Sequence, residues 1–412
     1  MGPHGPCASK SRAPRPRYEV ADIFRAHGEQ YRATHPLTPE QRKVMACIEV
    51  CRTEVLGGHV DLCPDCGHAS DPSYNSCRNR HCPKCQALDQ ARWIEARSER
   101  ILPVPYFHVV FTLPSELGTL ALFNRRLIYG LLFTAASKTL LELGRDEDRL
   151  GALLGITAVL HTWTRDLRLH PHLHCVVTGG GLALDGEKWV STGGKFLFPV
   201  KVISALFRGK FIDAFKRLHR RGDIDLGPDD RLCTDLPALF NTLFSKPWVV
   251  YAKRPFAGPE QVFAYLGRYS HRVAISNHRL QAVTDDAVTF ATRDGKSATL
   301  KPDEFIRRFL LHVLPKGFAK IRHYGLLASS NVNTKLPVAR RLLQPPATAN
   351  NCAADEHETP PQWQHLLEDL TGIDVTLCPR CGGSRMRRVV LPHHGDPRDL
   401  PPPSRAPPRR SP

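Results

Sequence analysis

The run His170-Pro171-His172-Leu173-His174 constrains this chain more than any other segment, because its alternation of polar and apolar residues, closed by Gly179-Gly180-Gly181, reads as a strand. Residues two apart on a strand face the same way, about 6.6 Å apart. His172 and His174 can therefore grip one ion while Leu173 packs behind them. His170 shares their face but lies about 13 Å from His174 along a straight strand, too far to join it on one ion. The strand is expected over Pro171–Thr178, reached from a strand over Gly155–Trp163 through a polar turn at Arg165-Asp166. With an even number of residues in that turn, His161 comes opposite His172 or His174 and faces the same way. A lone strand histidine is ordinarily a core residue; three converging on one hairpin face point to a metal. Imidazoles alone suggest zinc or another transition metal, and with it hydrolysis by a metal-activated water.

A second metal-binding pattern lies nearer the start. Of thirteen cysteines, seven fall within residues 47 to 85. Cys63-x2-Cys66 and Cys82-x2-Cys85 have the two-knuckle spacing of a tetrahedral structural zinc site, with Cys77 and His81 as spare ligands able to replace a member or help hold a second ion. Arg78, Asn79, Arg80, Lys84 and Arg92 beside them suit phosphate oxygens, although a solvated basic face gives the same pattern. The formal charge of +17 favours a polyanionic partner, nucleic acid by default. No run of eighteen apolar residues occurs, and Met1–Arg17 is basic and proline-bearing without an apolar stretch, so a soluble, intracellular chain with no membrane partner is expected.

Tyr265-Leu266-Gly267-Arg268-Tyr269 is expected on a helix opened by Pro259. Residues four apart stack on one helical face within roughly 6 Å, and at about 100° per residue Tyr265, Arg268, Tyr269 and Arg272 share one arc. That arc alternates nucleophile with phosphate clamp. Val262, Leu266, Tyr269 and Val273 also form an apolar stripe, which would make Tyr269 a core residue. A phenol of pKa near 10 becomes a useful nucleophile only when the phosphate is polarised, as a cation and arginines would do. No P-loop is present, since Gly181-x4-Gly186 is followed by Glu187.

Together these motifs resemble the transposases of the IS91 family, within the HUH endonucleases that also include rolling-circle replication initiators and relaxases. The resemblance runs from about residue 20 to 335. Cys51-Arg52, Leu56-Gly57-Gly58-His59 and Ser76-Cys77-Arg78-Asn79-Arg80-His81-Cys82-Pro83-Lys84-Cys85 are similar to the family's zinc domain. His170 to His174 resembles its HUH motif, Tyr265 to Asn277 its two-tyrosine helix, and Ile321-Arg322-His323-Tyr324-Gly325-Leu326-Leu327 a late signature. The resemblance implies an α+β fold, a ferredoxin-like antiparallel sheet with flanking helices beside a small N-terminal zinc-binding domain. It also implies Tyr265 and Tyr269 as catalysts and a Mg2+ or Mn2+ ion on His172 and His174, with His161 as third ligand as in relaxases. That choice of ion replaces the zinc suggested by residue type, because the ion polarises a phosphate rather than activating water.

The expected organisation is a disordered basic extension over 1–19, a zinc-binding DNA-recognition domain over 20–100, an HUH two-tyrosine domain over 101–335, and a Pro/Arg-rich tail over 336–412. Within the tail, Cys378-x2-Cys381 with His393 and His394 reads as a partial zinc knuckle. The implied activity is that of a rolling-circle transposase of the bacterial cytoplasm and nucleoid, nicking single-stranded element ends and target DNA through a 5′-phosphotyrosine. Its rivals are a replication initiator or relaxase, and a zinc-dependent DNA-binding regulator with an inactive nuclease core.

Overall fold

The computed structural model describes residues 15–98, 100–193, 197–227, 236–256, 274–344, 374 and 377–392. Two compact units divide the chain, and neither is continuous in sequence. One comprises Met1–Ala91, Ile275–Ile306 and Asn350–Pro412, the other Arg92–Ala274 and Arg307–Ala349.

The first unit opens with α1 (Val20–Thr34) and α2 (Pro39–Glu49). At the start of α2, Thr38 Oγ1 accepts the Gln41 N–H at 3.2 Å and the Gln41 side chain accepts the Thr38 N–H at 3.0 Å, with Pro39 at the first helical position. Val20, Ile23 and Phe24 are buried, as are Met45 and Ile48 of the helix packed beside them. Helical periodicity predicts this second helix through Leu56. It ends at Glu49 because Arg52 turns into the left-handed region, at φ 57°, and buried Cys51 leads the chain into the cysteine loops. β1 (Gly58–Leu62) and β2 (Ser73–Tyr74) follow as an antiparallel pair, and then α3 (Ala87–Ser98).

The second unit is built on β3 (Tyr106–Thr112), α4 (Gly118–Phe123), α5 (Arg125–Arg145), β4 (Ala152–Trp163), β5 (Leu169–Ala183), β6 (Trp189–Ser191), α6 (Val200–Arg220), α7 (Leu236–Ser245) and β7 (Val250–Phe256). The chain then forms β8 (Leu280–Val283), β9 (Val288–Ala291) and β10 (Ser297–Leu300), a small antiparallel sheet of the first unit, and α8 (Pro302–Leu310). β11 (Ile321–Gly325) and α9 (Lys335–Leu343) belong again to the second unit, and β12 (Arg387–Leu391) to the first.

The large sheet runs β11-β4-β5-β3-β7 with β6 beside β5, every pair antiparallel, giving the α+β architecture expected from the sequence. On one face Phe107, Val109 and Phe111, Leu154, Ile156 and Leu160, and Leu173 and Val177 share a core with Ile128, Leu132, Phe133, Phe207 and Phe211 of α5 and α6. α5 is long and apolar enough to cross a bilayer by length and composition alone, yet most of its apolar stretch is buried in this core. A single helix is predicted over Leu117–Leu143, but the chain breaks at Asn124. The Asn124 side chain donates to the Asp225 carbonyl at 2.6 Å and accepts the Asp225 N–H at 2.8 Å.

The opposite face packs Tyr106, Val159 and Val176 against Leu326, Leu336 and Ala339. Gly325 admits no side chain there: at φ +62° its Cβ would stand 1.8 Å from the Leu154 carbonyl oxygen. Because Leu336 and Ala339 are core residues, the expected tail does not begin at 336. β12 adds to β1 in register from Gly58↔Leu391 to Leu62↔Arg387, so the first unit also takes in a segment near residue 390. Core packing places the first segment and strand pairing the second, which composition does not show.

Candidate metal centres

Register places His161 directly opposite His172 across β4 and β5, with Val159 opposite His174. A bulge between His161 and Trp163 lets three steps on β5, from Leu169 to His172, match two on β4. Pro171, which has no N–H to give a ladder, sits inside it. Leu160, Leu173 and Cys175 point into the helix-covered core, so the histidines stand on the other face, as alternation requires. One ring nitrogen each of His161, His172 and His174 lies within 4.8 Å of the others, and ring centroids are 4.5 to 5.6 Å apart. Trp163 stacks on the His161 ring at 4.7 Å. His170 is tilted against His172 and is not one of the three.

Hydrogen bonds orient two of the rings. His172 Nδ1 lies 2.6 Å from the His170 carbonyl, which can only accept, so Nδ1 carries the proton and Nε2 is left as the ligand nitrogen. His174 Nδ1 lies 2.9 Å from Nε2 of His108, a buried residue of β3 that the sequence reading missed. Its signal was one polar residue on a strand otherwise apolar, but which strand it would meet could not be read. Burial pushes His172 down to about 4, outweighing the opposite pull of its bond to the His170 carbonyl. Burial also takes His174 to about 2, helped by neighbouring His172 and His108. Near neutral pH both imidazoles are uncharged and suited to a cation.

Among the described residues the cysteines gather in two groups of four, partnered differently from the expected single set of Cys63, Cys66, Cys82 and Cys85. Cys82 and Cys85 meet Cys51 and Cys77, whereas Cys63 and Cys66 meet Cys378 and Cys381, each set having its sulfurs within 4.8 Å of one another. The proposed set of Cys63, Cys66, Cys82 and Cys85 is thus not one centre. The expected spare ligand Cys77 is a full member, and His81 belongs to neither group. Cys51 does not stand out as a ligand in the sequence because it continues an apolar helical run, and the partial knuckle expected at Cys378 and Cys381 meets Cys63 and Cys66. Within the first group, hydrogen bonds from Cys77, Cys82 and Cys85 hold the Cys51 thiol far below its ordinary range.

Of the expected phosphate contacts, Arg78 and Arg80 are exposed, and Lys84 Nζ pairs with Glu19 at 2.7 Å. That ion pair competes with the role first assigned to Lys84. Tyr265, Arg268, Tyr269 and Arg272 lie outside the described residues, as do His393 and His394.

A family model described as "Putative transposase" matches residues 155–335, which include the histidine hairpin and the two tyrosines. A second, "Transposase zinc-binding domain", matches residues 23–113, which include Cys51 to Cys85 but not Cys378 or Cys381. The "Putative transposase y4qJ" of Sinorhizobium fredii (strain NBRC 101917 / NGR234) is 47% identical over 383 residues, 90% of this chain and 95% of its own. The "Transposase for insertion sequence element IS801" of Pseudomonas savastanoi pv. phaseolicola is 29% identical over 356 residues, 83% of this chain and 82% of its own. No solved structure matches the chain.

Proposed function

Given that the chain belongs to the IS91 family of transposases, with an N-terminal zinc-binding domain, we propose that it nicks and rejoins single-stranded DNA through tyrosine-linked intermediates, in a rolling-circle mode. In that reading the phenol oxygen of Tyr265 or Tyr269 attacks a backbone phosphorus and displaces the 3′ oxygen, which leaves as a hydroxyl after taking up a proton. The new phosphotyrosyl ester holds the 5′ phosphate and keeps the energy of the broken phosphodiester, so a 3′ hydroxyl of another strand can reverse the step without ATP. Two tyrosines permit one strand to stay attached while a second is cut. Arg268 and Arg272, at helical spacing from the tyrosines, would clamp phosphate oxygens.

The observation that carries this reading is the convergence of His161, His172 and His174 on one hairpin face. His172 and His174 would hold a divalent ion through Nε2, with the His170 carbonyl and His108 fixing the ring orientations. A cation bound there would draw charge from a non-bridging phosphate oxygen and make phosphorus a better electrophile. Three nitrogen donors suit Mn2+ better than Mg2+, which prefers oxygen ligands and sheds water reluctantly. The test is covalent capture. Incubated with Mn2+ and a labelled single-stranded element end, the wild type should migrate as a protein–DNA adduct and Tyr265→Phe/Tyr269→Phe should not. An adduct in the folded double variant would overturn the tyrosine mechanism, and no adduct from wild type on any element end would favour an inactive nuclease core.

A further inference from the structure

Cys63-Pro64-Asp65-Cys66-Gly67 and Cys378-Pro379-Arg380-Cys381-Gly382 are the same motif, C-P-x-C-G, placed 315 residues apart. They also fold alike. In the first, the Gly67 N–H reaches the Cys63 carbonyl at 3.0 Å and the Cys63 N–H reaches the His68 carbonyl at 2.8 Å; in the second, Gly382 N–H to Cys378 measures 2.9 Å and Cys378 N–H to Gly383 measures 2.8 Å. Each turn needs glycine after its second cysteine, at φ +70° for Gly67 and +73° for Gly382. These are two matching metal knuckles, one leaving β1 and the other leading into β12.

The sulfurs of the two knuckles face each other across a gap of metal size. Cys63 Sγ lies 3.6 Å from Cys381 Sγ, and Cys66 Sγ lies 3.7 Å from Cys378 Sγ. Four thiolates at a Zn–S distance of about 2.3 Å stand about 3.8 Å apart along a tetrahedral edge, whereas a disulfide requires about 2.05 Å. The Cys77–Cys85 separation in the other group is 3.8 Å, the same edge. Around the gap the two segments are joined by further contacts that do not depend on sulfur. β1 and β12 pair along their full lengths, the Arg388 guanidinium holds the Asp61 carboxylate at 2.9 and 3.1 Å, and Arg385 binds Asp65 inside the first knuckle.

From this we infer that Cys63, Cys66, Cys378 and Cys381 form a second structural zinc centre, a zinc ribbon whose halves lie more than three hundred residues apart in the sequence. The zinc-binding region therefore includes residues 377–392, far beyond the segment of 23–113 that the family model covers. Metal binding replaces up to four thiol protons and closes a loop of more than three hundred residues, so the ion adds to the strand pairing and the ion pairs that join the C-terminal segment to β1. The centre does not depend on the tyrosine chemistry.

Two measurements test it on the full chain. Zinc retained after dialysis against a weak chelator should be two ions per wild-type chain, one for Cys378→Ser/Cys381→Ser, and one for Cys51→Ser/Cys82→Ser. Thiol alkylation with mass readout avoids any variant that fails to fold. In the zinc-loaded wild type, Cys381, an exposed residue, should label at least tenfold more slowly than after chelation, and Cys63, Cys66 and Cys378 should become reactive together with it. One zinc per wild-type chain, or Cys381 labelling at the same rate with and without zinc, would overturn the second centre.

Discussion

The histidine hairpin and the cysteine groups are both candidate metal centres, yet they are assembled in opposite ways. His161, His172 and His174 come from neighbouring strands of one hairpin, and only a turn and a bulge separate them. The cysteine groups instead gather loops: one draws on Cys51 and on Cys77 to Cys85, and the other joins segments far apart in sequence, Cys66 and Cys378 being 312 residues apart. A centre made inside one supersecondary unit inherits its geometry from strand periodicity, whereas one made between segments inherits it from the tertiary fold. The first should therefore tolerate loss of its ligands without unfolding, and the second should not.

The largest effect expected from this contrast is on activity. His172→Ala or His174→Ala should reduce strand cleavage below detection while the melting temperature stays within a few degrees, since neither side chain belongs to the apolar clusters on the two faces of the sheet. Metal-dependent nicking at the wild-type rate by the folded double variant would break the assignment. The reverse behaviour is expected of Cys51→Ser or Cys82→Ser, because apparent zinc binding of about 10–16 kcal/mol is folding free energy for a small metal domain. Hydrogen exchange around Cys51 and across residues 75 to 86 should become unprotected, together with loss of one zinc ion. A protected, zinc-free Cys82→Ser chain would show that packing alone holds those loops.

A smaller effect sharpens the hairpin side. His108→Phe removes the partner of His174 Nδ1 but keeps a ring in the sheet, and should weaken Mn2+ binding about 10–100-fold with cleavage restored at high Mn2+. Unchanged Mn2+ affinity would make His108 a packing residue only. The smallest effect concerns the second unit's acid stability. His312 is fully buried, with Nδ1 3.2 Å from Thr162 Oγ1 and Nε2 3.1 Å from the Leu167 carbonyl, and burial pushes it down to about 3. The folded state then binds a proton more weakly than the unfolded chain, so stability is full above the ordinary histidine pKa and falls as pH drops from about 6.5 toward 3. The slope is at most about 1.4 kcal/mol per pH unit. His312→Gln should flatten it; an unaltered slope would place the acid sensitivity elsewhere.

The same division explains what the sequence made legible. The hairpin and its glycine-closed end follow from alternation and turn chemistry, and β4 and β5 extend only a few residues beyond the expected strands, whereas it is the bulge between His161 and Trp163, and not an even-membered turn, that brings His161 opposite His172. Thr38 and Pro39 mark the start of α2 because capping is local. Three features lay beyond local rules: the break at Asn124, made by the backbone of Asp225; the pairing of His108 with His174; and the partners of Cys63 and Cys66. Each depends on a contact between segments at least 66 residues apart in sequence, and no periodicity encodes it. Lys84 illustrates the related limit for charge, since its position beside the cysteines suggested phosphate while Glu19 satisfies it within the unit.

The pairing of β1 with β12 also sets an order for synthesis. A ribosome adding roughly 5–20 residues per second emits β12 about 15 to 65 seconds after β1, since Leu62 and Arg387 are partners in that ladder. Throughout that interval one edge of β1 has no strand beside it, and an unpaired edge is a template for another chain. A nascent polypeptide therefore carries an open edge on β1 until β12 is made, and a product cut short before β12 by a premature stop carries it permanently. Such fragments should be preferred targets for aggregation and proteolysis, and only chains translated through residue 391 can close the small sheet.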